Sequence, residues 1–286
     1  MKHTFAMIQT QPGRDAEKNT EQILRLAGEA ASLYHPGLIL LPETCAWEYS
    51  AATGTDAKSR AAVSELAVSL EDPFIRRMQK LAVEYGVWLV FGILEKAADE
   101  AAYKDGQDGR CYNTVVILDD RGSIVSTYRK THLYDAFESR ESDLFIPGER
   151  LFDPVDTPFG RIGVFVCYEL RFPEVARWQR ARGADILLVP SAWVRGEMKS
   201  EHFKTLVTAR AVENTAYVLA CNKSGGLTIG ESIAADPMGK VTAAADLHND
   251  ADGSGQIIPV VIDTDRIADV RKRLPSFEER RPELYS

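Results

Sequence analysis

Three side chains with complementary chemistry each stand just after a run of apolar or β-branched residues. They are a carboxylate, Glu43, a cation, Lys130, and a thiol, Cys167. A thiol can attack a carbonyl carbon, a cation and a backbone N–H can stabilise the developing oxyanion, and a carboxylate can transfer protons. Together, these residue types predict covalent acyl transfer with a cysteine nucleophile.

Taken singly, each residue has a plainer explanation. Glu43 could end its strand in solvent, and Lys130 has a cationic neighbour, Arg129, whose side chain would point to the opposite face of the strand. Cys167 could be a buried spacer, as free cysteines usually are, whereas in a crevice a nearby cation would lower its pKa and favour the thiolate nucleophile. The remaining cysteines show no Cys-x-x-Cys spacing, so neither a disulfide framework nor a structural zinc site is predicted; they are Cys45, Cys111 and Cys221.

Strands that mostly alternate with helices must position these side chains. Apolar, β-branched runs predict strands at residues 4–9, 38–41, 87–94, 114–118, 162–166, 186–189, 217–221 and 257–262. Apolar residues at helical spacing predict helices over residues 23–33, 74–85 and 200–214, with a shorter helix after Pro173. This alternation favours an α/β fold, in which active groups lie past the carboxyl ends of the strands.

The turn sequence Asp119-Asp120-Arg121-Gly122 lies between two β-rich runs and predicts a hairpin. A hairpin joins antiparallel strands, whereas the strand–helix alternation requires parallel ones. The sheet is therefore expected to be mixed.

Length and composition limit the class of protein. The 286 residues, of which 45% are hydrophobic and 27% charged, fit a globular protein that we interpret as one domain, 1–286, with a tail from 266 to 286. A formal net charge of −8 disfavours nucleic acid and anionic membranes as partners. No apolar run reaches the roughly 18 residues of a membrane span and no leader is evident, so a cytoplasmic location is expected.

Motifs for other kinds of catalysis are missing from the sequence. It contains no His-Glu-x-x-His, Gly-x-Ser-x-Gly or Gly-x-x-x-x-Gly-Lys pattern, and we expect neither a metal nor a cofactor. A cysteine protease would need a histidine base, and only His132 lies near one of the motifs. If His132 were that base, its replacement would abolish activity.

Several blocks spread over nearly the whole chain resemble the nitrilase superfamily of carbon-nitrogen hydrolases. The blocks are Ala6-Met7-Ile8-Gln9, Leu41-Pro42-Glu43, Tyr128-Arg129-Lys130-Thr131-His132-Leu133, Pro147-Gly148, Cys167-Tyr168-Glu169-Leu170-Arg171-Phe172-Pro173-Glu174, Pro190-Ser191-Ala192-Trp193 and Ala209-Arg210-Ala211-Val212-Glu213-Asn214. They stand in the order that the superfamily has.

The resemblance implies a Glu-Lys-Cys triad. Glu43 would be the general base, Lys130 would stabilise the oxyanion and donate a proton, and Cys167 would be the nucleophile. Relatives often carry a second active-site glutamate between the lysine and the Pro-Gly block, and Glu141 fits that place better than Glu138.

Three further residues are candidates for substrate binding. Tyr168 follows the nucleophile and would offer its backbone N–H to the oxyanion. Trp193 would line the pocket or be a core aromatic residue, and Arg171 would meet a substrate carboxylate or form an internal salt bridge with Glu174 or another acid. Many relatives have aspartate where this chain has Glu169, which puts the local hydrogen bonding in doubt.

The superfamily fold is a four-layer α-β-β-α sandwich with two mixed β-sheets. Its subunits pair through helices near the nucleophile and the C-terminal tail, which predicts a homodimer or a higher homo-oligomer that uses residues 171–182 and 266–286.

The block at the nucleophile is most similar to the ω-amidase and deaminated glutathione amidase group. This similarity predicts hydrolysis of a small carboxylic or α-keto acid amide, with a small molecule as the substrate. N-carbamoyl amino-acid amidohydrolase and nitrilase activities are the alternatives within the class, and a non-catalytic scaffold with this fold is the alternative outside it. Residues 95–110 and 194–199 are expected to shape the pocket.

Overall fold

The computed structural model describes residues 1–48, 57–97, 109–246 and 253–284. In these ranges the chain forms twelve strands: β1 (Lys2–Gln9), β2 (Leu38–Leu40), β3 (Trp88–Glu95), β4 (Tyr112–Leu118), β5 (Ile124–Arg129), β6 (Val155–Thr157), β7 (Gly160–Val164), β8 (Ile186–Ser191), β9 (Tyr217–Asn222), β10 (Ile233–Ala235), β11 (Val241–Ala244) and β12 (Gln256–Asp263). The helices in the same ranges are α1 (Ala16–Tyr34), α2 (Ala57–Leu66), α3 (Pro73–Tyr85), α4 (Pro173–Ala181), α5 (Lys199–Asn214) and α6 (Thr264–Arg273).

The described strands make two six-stranded sheets, with the orders β12-β1-β2-β3-β4-β5 and β11-β10-β9-β8-β7-β6. In the first sheet β1, β2 and β3 run parallel, and in the second β7, β8 and β9 do so. The outer strands of both sheets pair antiparallel with their neighbours. The predicted mixed sheets are therefore confirmed.

The side-chain alternation of β1 shows how the layers stack. Phe5 and Met7 join a core cluster with residues of the second sheet, so this face lies between the sheets. Ala6 and Ile8 point the other way and pack with α1 and α3. Helices α4 and α5 cover the second sheet, which completes the α-β-β-α sandwich.

Local signals set the helix ends and the hairpin. Asp15 caps α1 by accepting from the N–H groups of Glu17 and Lys18, and Gly86 ends α3 at a φ of 60°. In the predicted hairpin between β4 and β5, Gly122 takes a φ of 74°, which glycine adopts without strain. The hairpin prediction is confirmed.

The C-terminal segment is more ordered than the expected tail, because α6 spans Thr264–Arg273. Beyond α6 the chain folds back over α4, where Glu278 pairs with Arg180 at 3.1 Å and the Phe277 ring lies under the Arg180 guanidinium. The part of this segment from 266 to 273 is thus a helix, and its role in a dimer stays a prediction. None of the helices in the described ranges has the length and apolar character that a membrane crossing needs.

Candidate active site

The site lies where the carboxyl ends of several strands meet. Glu43 comes shortly after β2, Lys130 directly after β5, Cys167 shortly after β7 and Ala192 directly after β8. All the residues predicted for the site line one pocket, together with four others: the lining residues are Glu43, Lys130, Tyr134, Glu141, Cys167, Tyr168, Arg171, Ala192, Trp193, Val194 and Lys199. The two sheets and the loop that carries Glu141 therefore contribute to a single cleft.

Glu43 is buried and held on both carboxylate oxygens. Its Oε1 accepts from Asn113 Nδ2 at 2.6 Å and from Lys130 Nζ at 2.9 Å, and its Oε2 accepts from the backbone N–H of Ala192 at 2.8 Å. A Cβ on Gly92 of β3 would lie 2.4 Å from the backbone nitrogen of Thr44. Glycine at position 92 thus lets the turn that carries Glu43 approach the sheet closely.

Lys130 lies between two carboxylates. Its Nζ donates to Glu43 Oε1 and, at 3.0 and 2.8 Å, to both oxygens of Glu141. These three residues are only 2–4% exposed. Glu141 Oε2 also accepts from the Tyr134 N–H at 2.6 Å, which fixes the second carboxylate against the lysine.

Neighbouring charges move the pKa values of the two carboxyls apart. Burial raises the pKa of Glu43, but the charge and hydrogen bonds of Lys130, with smaller contributions from Asn113 and Lys223, outweigh burial and hold it below its usual range. Burial and the charge of Glu43 raise the pKa of Glu141 despite the opposing effect of Lys130. Burial lowers the pKa of Lys130, yet the two carboxylates raise it well above its usual value. Glu43 is therefore ionised in the resting site and able to accept a proton.

Cys167 begins a short 3₁₀ helix, Cys167–Arg171, with a φ of 45°, and its side chain is 8% exposed. Burial and the charge of Glu43 raise the pKa of the thiol well above its usual value, although Lys130 and the Ala192 N–H act in the opposite direction. The sequence-based expectation that a nearby cation would favour the thiolate is therefore wrong for the resting site. The thiol needs a base in order to attack.

Glu169, which departs from the aspartate of many relatives, is fully buried and well satisfied. Its Oε1 accepts from Tyr128 Oη at 2.7 Å and from Thr131 Oγ1 at 2.7 Å, and its Oε2 accepts from the Val166 N–H at 2.7 Å. The longer side chain thus connects the segment that follows Lys130 to the turn before Cys167. The doubt about hydrogen bonding at this position does not apply to this chain.

His132 has contacts other than the thiol. Its Nδ1 lies 3.3 Å from Glu169 Oε1 and 2.9 Å from Thr131 Oγ1, and its ring stacks on Phe172. It is not among the residues that line the pocket. These contacts fit a structural histidine rather than the base of a cysteine protease.

The far wall of the pocket is cationic and aromatic. The Arg171 guanidinium lies 4.7 Å from the centre of the Trp193 ring, and its buried Nε and Nη2 have no hydrogen-bond partner among the described residues. Arg171 forms no ion pair with Glu174 or with another acid among the described residues, so the internal salt bridge considered for it is not found there. Tyr168 packs edge-on against Tyr134 in the same wall.

Lys199, the first residue of α5, adds a second cation to this wall. It is 4% exposed, its Nζ donates to Tyr134 Oη at 2.7 Å, and the Phe137 ring lies 3.8 Å away. Burial and the charge of Arg171 lower the pKa of Lys199. The loop from 194 to 199 thus shapes the pocket as predicted, whereas residues 98–108 of the other predicted loop lie outside the described residues.

Sequence reasoning missed Asn113 and Tyr134. Asn113 had a readable signal, since it is a polar residue within the apolar strand β4. Tyr134 lies in an irregular segment and had no local signal. Lys199 was included only as the last residue of the predicted segment 194–199, without a role of its own.

The other cysteines, Cys45, Cys111 and Cys221, are buried, and burial raises the pKa of the first two to about 12. The described residues include no group of His, Cys, Asp and Glu that could hold a metal ion. The chemistry that the pocket offers is therefore that of a thiol, a base and a cluster of cations.

Comparison with known proteins identifies a family, similar sequences and similar structures. The carbon-nitrogen hydrolase family matches residues 4–272 of the chain. A Bos taurus deaminated glutathione amidase is 34% identical over 98% of this chain and 82% of its own length. A carbon-nitrogen hydrolase structure from Helicobacter pylori superposes with a TM-score of 0.84 at 25% identity, covering 99% of this chain and 97% of that one. A Saccharomyces cerevisiae member of branch 10 of the nitrilase superfamily superposes with a TM-score of 0.80 at 27% identity, covering 98% and 97%.

Proposed function

Because the chain belongs to the carbon-nitrogen hydrolase family, we propose that it hydrolyses a small amide that carries a carboxylate, releasing the acid and ammonia through a cysteine thioester. One observation carries this proposal. The pocket that contains Cys167 and its buried carboxylates is also lined by two cations, Arg171 and Lys199. Cys167 and the carboxylates carry out the reaction, and the two cations select the substrate.

Acylation begins with Glu43, since the thiol is protonated at rest. Glu43 takes the thiol proton as Cys167 Sγ bonds to the amide carbon, and the carbonyl electrons move onto oxygen. The Lys130 ammonium and the Tyr168 N–H stabilise this oxyanion. The tetrahedral intermediate collapses, the C–N bond breaks, and the nitrogen leaves as ammonia with the proton that Glu43 held.

Deacylation uses Glu43 as the base a second time, with water as the nucleophile. A water molecule gives a proton to Glu43 and attacks the thioester carbon, and the C–S bond breaks to release the acid. Sulfur regains the proton and the site returns to its resting state. Glu141 keeps Lys130 in place throughout, because it accepts from the ammonium with both of its oxygens.

The cationic wall favours an anionic substrate. Two positive charges near each other, one buried (Lys199) and one half-buried (Arg171), are costly without a counter-ion, and Arg171 holds buried donor atoms that no described residue satisfies. A substrate carboxylate would accept from Arg171 and Lys199 while its chain packs against Trp193. Charge-assisted hydrogen bonds of this kind contribute about 1.5–3 kcal/mol each. The matched relatives named deaminated glutathione amidase agree with a substrate that carries a carboxylate.

The first experiment measures ammonia release from α-keto acid monoamides, simple aliphatic amides, N-carbamoyl amino acids and nitriles. We expect the carboxylate-bearing amides to be turned over by the wild type and not by Cys167→Ala. Preference for N-carbamoyl substrates or nitriles would replace the amide proposal with that activity. Silence across the panel with a folded protein would favour the scaffold alternative.

The substrate class has its own test. Arg171→Gln and Lys199→Gln should each reduce kcat/KM for the carboxylate-bearing amide about 10–100-fold while changing that for its methyl ester little. Lys204→Gln, an exposed position of α5, makes the same charge change away from the pocket and serves as the control. Equal losses on the acid and on its ester would refute a carboxylate subsite.

We also propose a homodimer formed through residues 171–182 and 266–286. The segment beyond α6 already packs on α4 of the same chain, so both regions form one continuous surface. Light scattering of the full chain tests the stoichiometry, and a monomeric mass would contradict it.

A further inference from the structure

Lys223 is a second buried lysine beside the proposed base, and no step of the reaction above uses it. It directly follows β9 and is 3% exposed. Its Nζ donates to Thr44 Oγ1 at 2.6 Å and to the Trp47 carbonyl at 2.8 Å. Because both acceptors are uncharged, neither hydrogen bond cancels the charge of the ammonium.

Lys223 contacts two segments that position the Glu43 carboxylate: the turn that carries Glu43 and the end of β8. Thr44, whose hydroxyl accepts from Lys223, is the residue after Glu43 and takes a φ of 43°, which is unusual for a β-branched side chain. The backbone N–H of Lys223 donates to the Ser191 carbonyl at 3.1 Å. Ser191 precedes Ala192, whose N–H donates to Glu43 Oε2. Lys223 therefore links the turn that carries Glu43 to the strand end that holds its carboxylate.

The charge of Lys223 also bears on Glu43. Two buried carboxylates, Glu43 and Glu141, share one ammonium, Lys130, so these three side chains together carry an excess negative charge. A buried group with excess negative charge is favoured to take up a proton. The ammonium of Lys223 restores neutrality, and its charge helps to hold the pKa of Glu43 low.

Acidic groups around Lys223 oppose the effect of burial, so the lysine is protonated in most molecules near neutral pH. Burial lowers its pKa to about 8, against the raising effects of Glu43, Cys45, Cys167 and Glu48. Glu43, Cys45 and Glu48 belong to the segment after β2, and Cys167 to the turn after β7. At neutral pH the ammonium form is the larger fraction, so the second positive charge is present when the enzyme works.

We propose that Lys223 is a positioning residue for Glu43, which holds the turn that carries the base and supplies the second positive charge that keeps Glu43 ionised beside Glu141. This proposal rests on the role of Glu43 as the general base. It assigns no contact with the substrate to Lys223.

The test compares Lys223→Gln and Lys223→Met, which remove the charge, with Thr44→Val, which removes the hydroxyl acceptor and leaves the charge. The acid limb of the kcat/KM pH profile should move up by about one pH unit in both Lys223 variants, since the pKa of Glu43 rises when a nearby cation is lost. In Thr44→Val the limb should stay in place while kcat falls. Lys223→Arg keeps the charge and should also leave the limb in place.

A second measurement needs no substrate. Infrared titration of the protonated carboxyl band, assigned by its loss in Glu43→Gln, reports the ionisation of Glu43 directly. We expect this titration to move up in the neutral Lys223 variants, so the proposal can be judged even if the amide panel fails. A band and an acid limb that do not move in a folded Lys223→Gln protein would overturn the proposal. Equal shifts in Thr44→Val, or unfolding of both neutral variants while Lys223→Arg folds, would also overturn it, because they would show a purely structural role.

Discussion

Replacing Lys130 by methionine tests the electrostatics of the site most directly. The methionine side chain has a similar length, but it removes the ammonium that lies 2.9 Å from Glu43 and 2.8 Å from Glu141. Leaving buried charges without their partner costs about 3–5 kcal/mol. At about 2 °C per kcal/mol for a chain of this size, Tm should fall by roughly 6–10 °C near neutral pH.

The loss should depend on pH with a definite sign. Without the ammonium, burial raises the pKa of both carboxyls in the folded state above the unfolded value of about 4.3. A raised carboxyl pKa contributes stability at low pH that is lost as the pH rises through the folded value. The difference in Tm between wild type and Lys130→Met should therefore be small near about pH 5 and grow toward about pH 8.

The assay is thermal unfolding of both proteins across this range, with ammonia release measured in parallel. Lys204→Met on the exposed face of α5 is the control for the loss of one lysine charge. Turnover of Lys130→Met should fall by at least about 10²-fold, as for the loss of one oxyanion donor. A Tm loss below about 2 °C, or one that is equal at both ends of the pH range, would refute the reasoning that Lys130 neutralises two ionisable carboxyls.

Three other substitutions test the remaining parts of the site. Glu43→Gln should reduce turnover by at least about 10²-fold, while iodoacetamide labels Cys167 at lower pH than in the wild type, because the charge that raises the thiol pKa is gone; labelling that moves to higher pH would contradict this. Tyr128→Phe removes one hydrogen bond to buried, ionised Glu169 and should lower the free energy of unfolding by about 1.5–3 kcal/mol in urea titration, and an unchanged midpoint would show that this bond contributes nothing. Gly92→Ala should cost about 1–3 kcal/mol of stability and reduce kcat, since its Cβ would collide with the turn after Glu43; wild-type stability and kcat together would show that the turn shifts freely.

The sequence predicted the three central residues of the site because they stand at strand ends. Strands with buried faces are readable as apolar runs, and their carboxyl ends meet in an α/β fold, so Glu43, Lys130 and Cys167 could be grouped without the structure. Lys223 stands at a strand end as well, after the predicted run 217–221, and the same rule would have found it. Glu141 depended on the resemblance, since it lies in a short 3₁₀ helix with no apolar run before it.

Several elements that the sequence did not predict are short or strongly charged. Strands β6, β10 and β11 have three or four residues each, too few to show a period, and their neighbours in the sheets set their register. Helix α6 was interpreted as a tail because most of its residues are polar. Its buried face consists of Ile267 and Val270 only, three residues apart, and the signals that indicate a helix are its N-cap Asp263, the acidic Asp265 in the first turn and the basic residues of the last turn.

The resting state of the thiol could not be predicted from residue types. From the sequence, a lysine near a cysteine indicates a lowered thiol pKa, because the sequence does not show how many carboxylates share that lysine. In the structure the charge of Lys130 is divided between Glu43 and Glu141, and burial together with Glu43 raises the pKa of Cys167. In the proposed mechanism, sulfur therefore becomes nucleophilic only when Glu43 removes its proton, which is favourable once a carbonyl is in place to accept the electrons. The same arrangement that supplies the base keeps the free thiol protonated, and this explains why two carboxylates and one lysine surround a single cysteine.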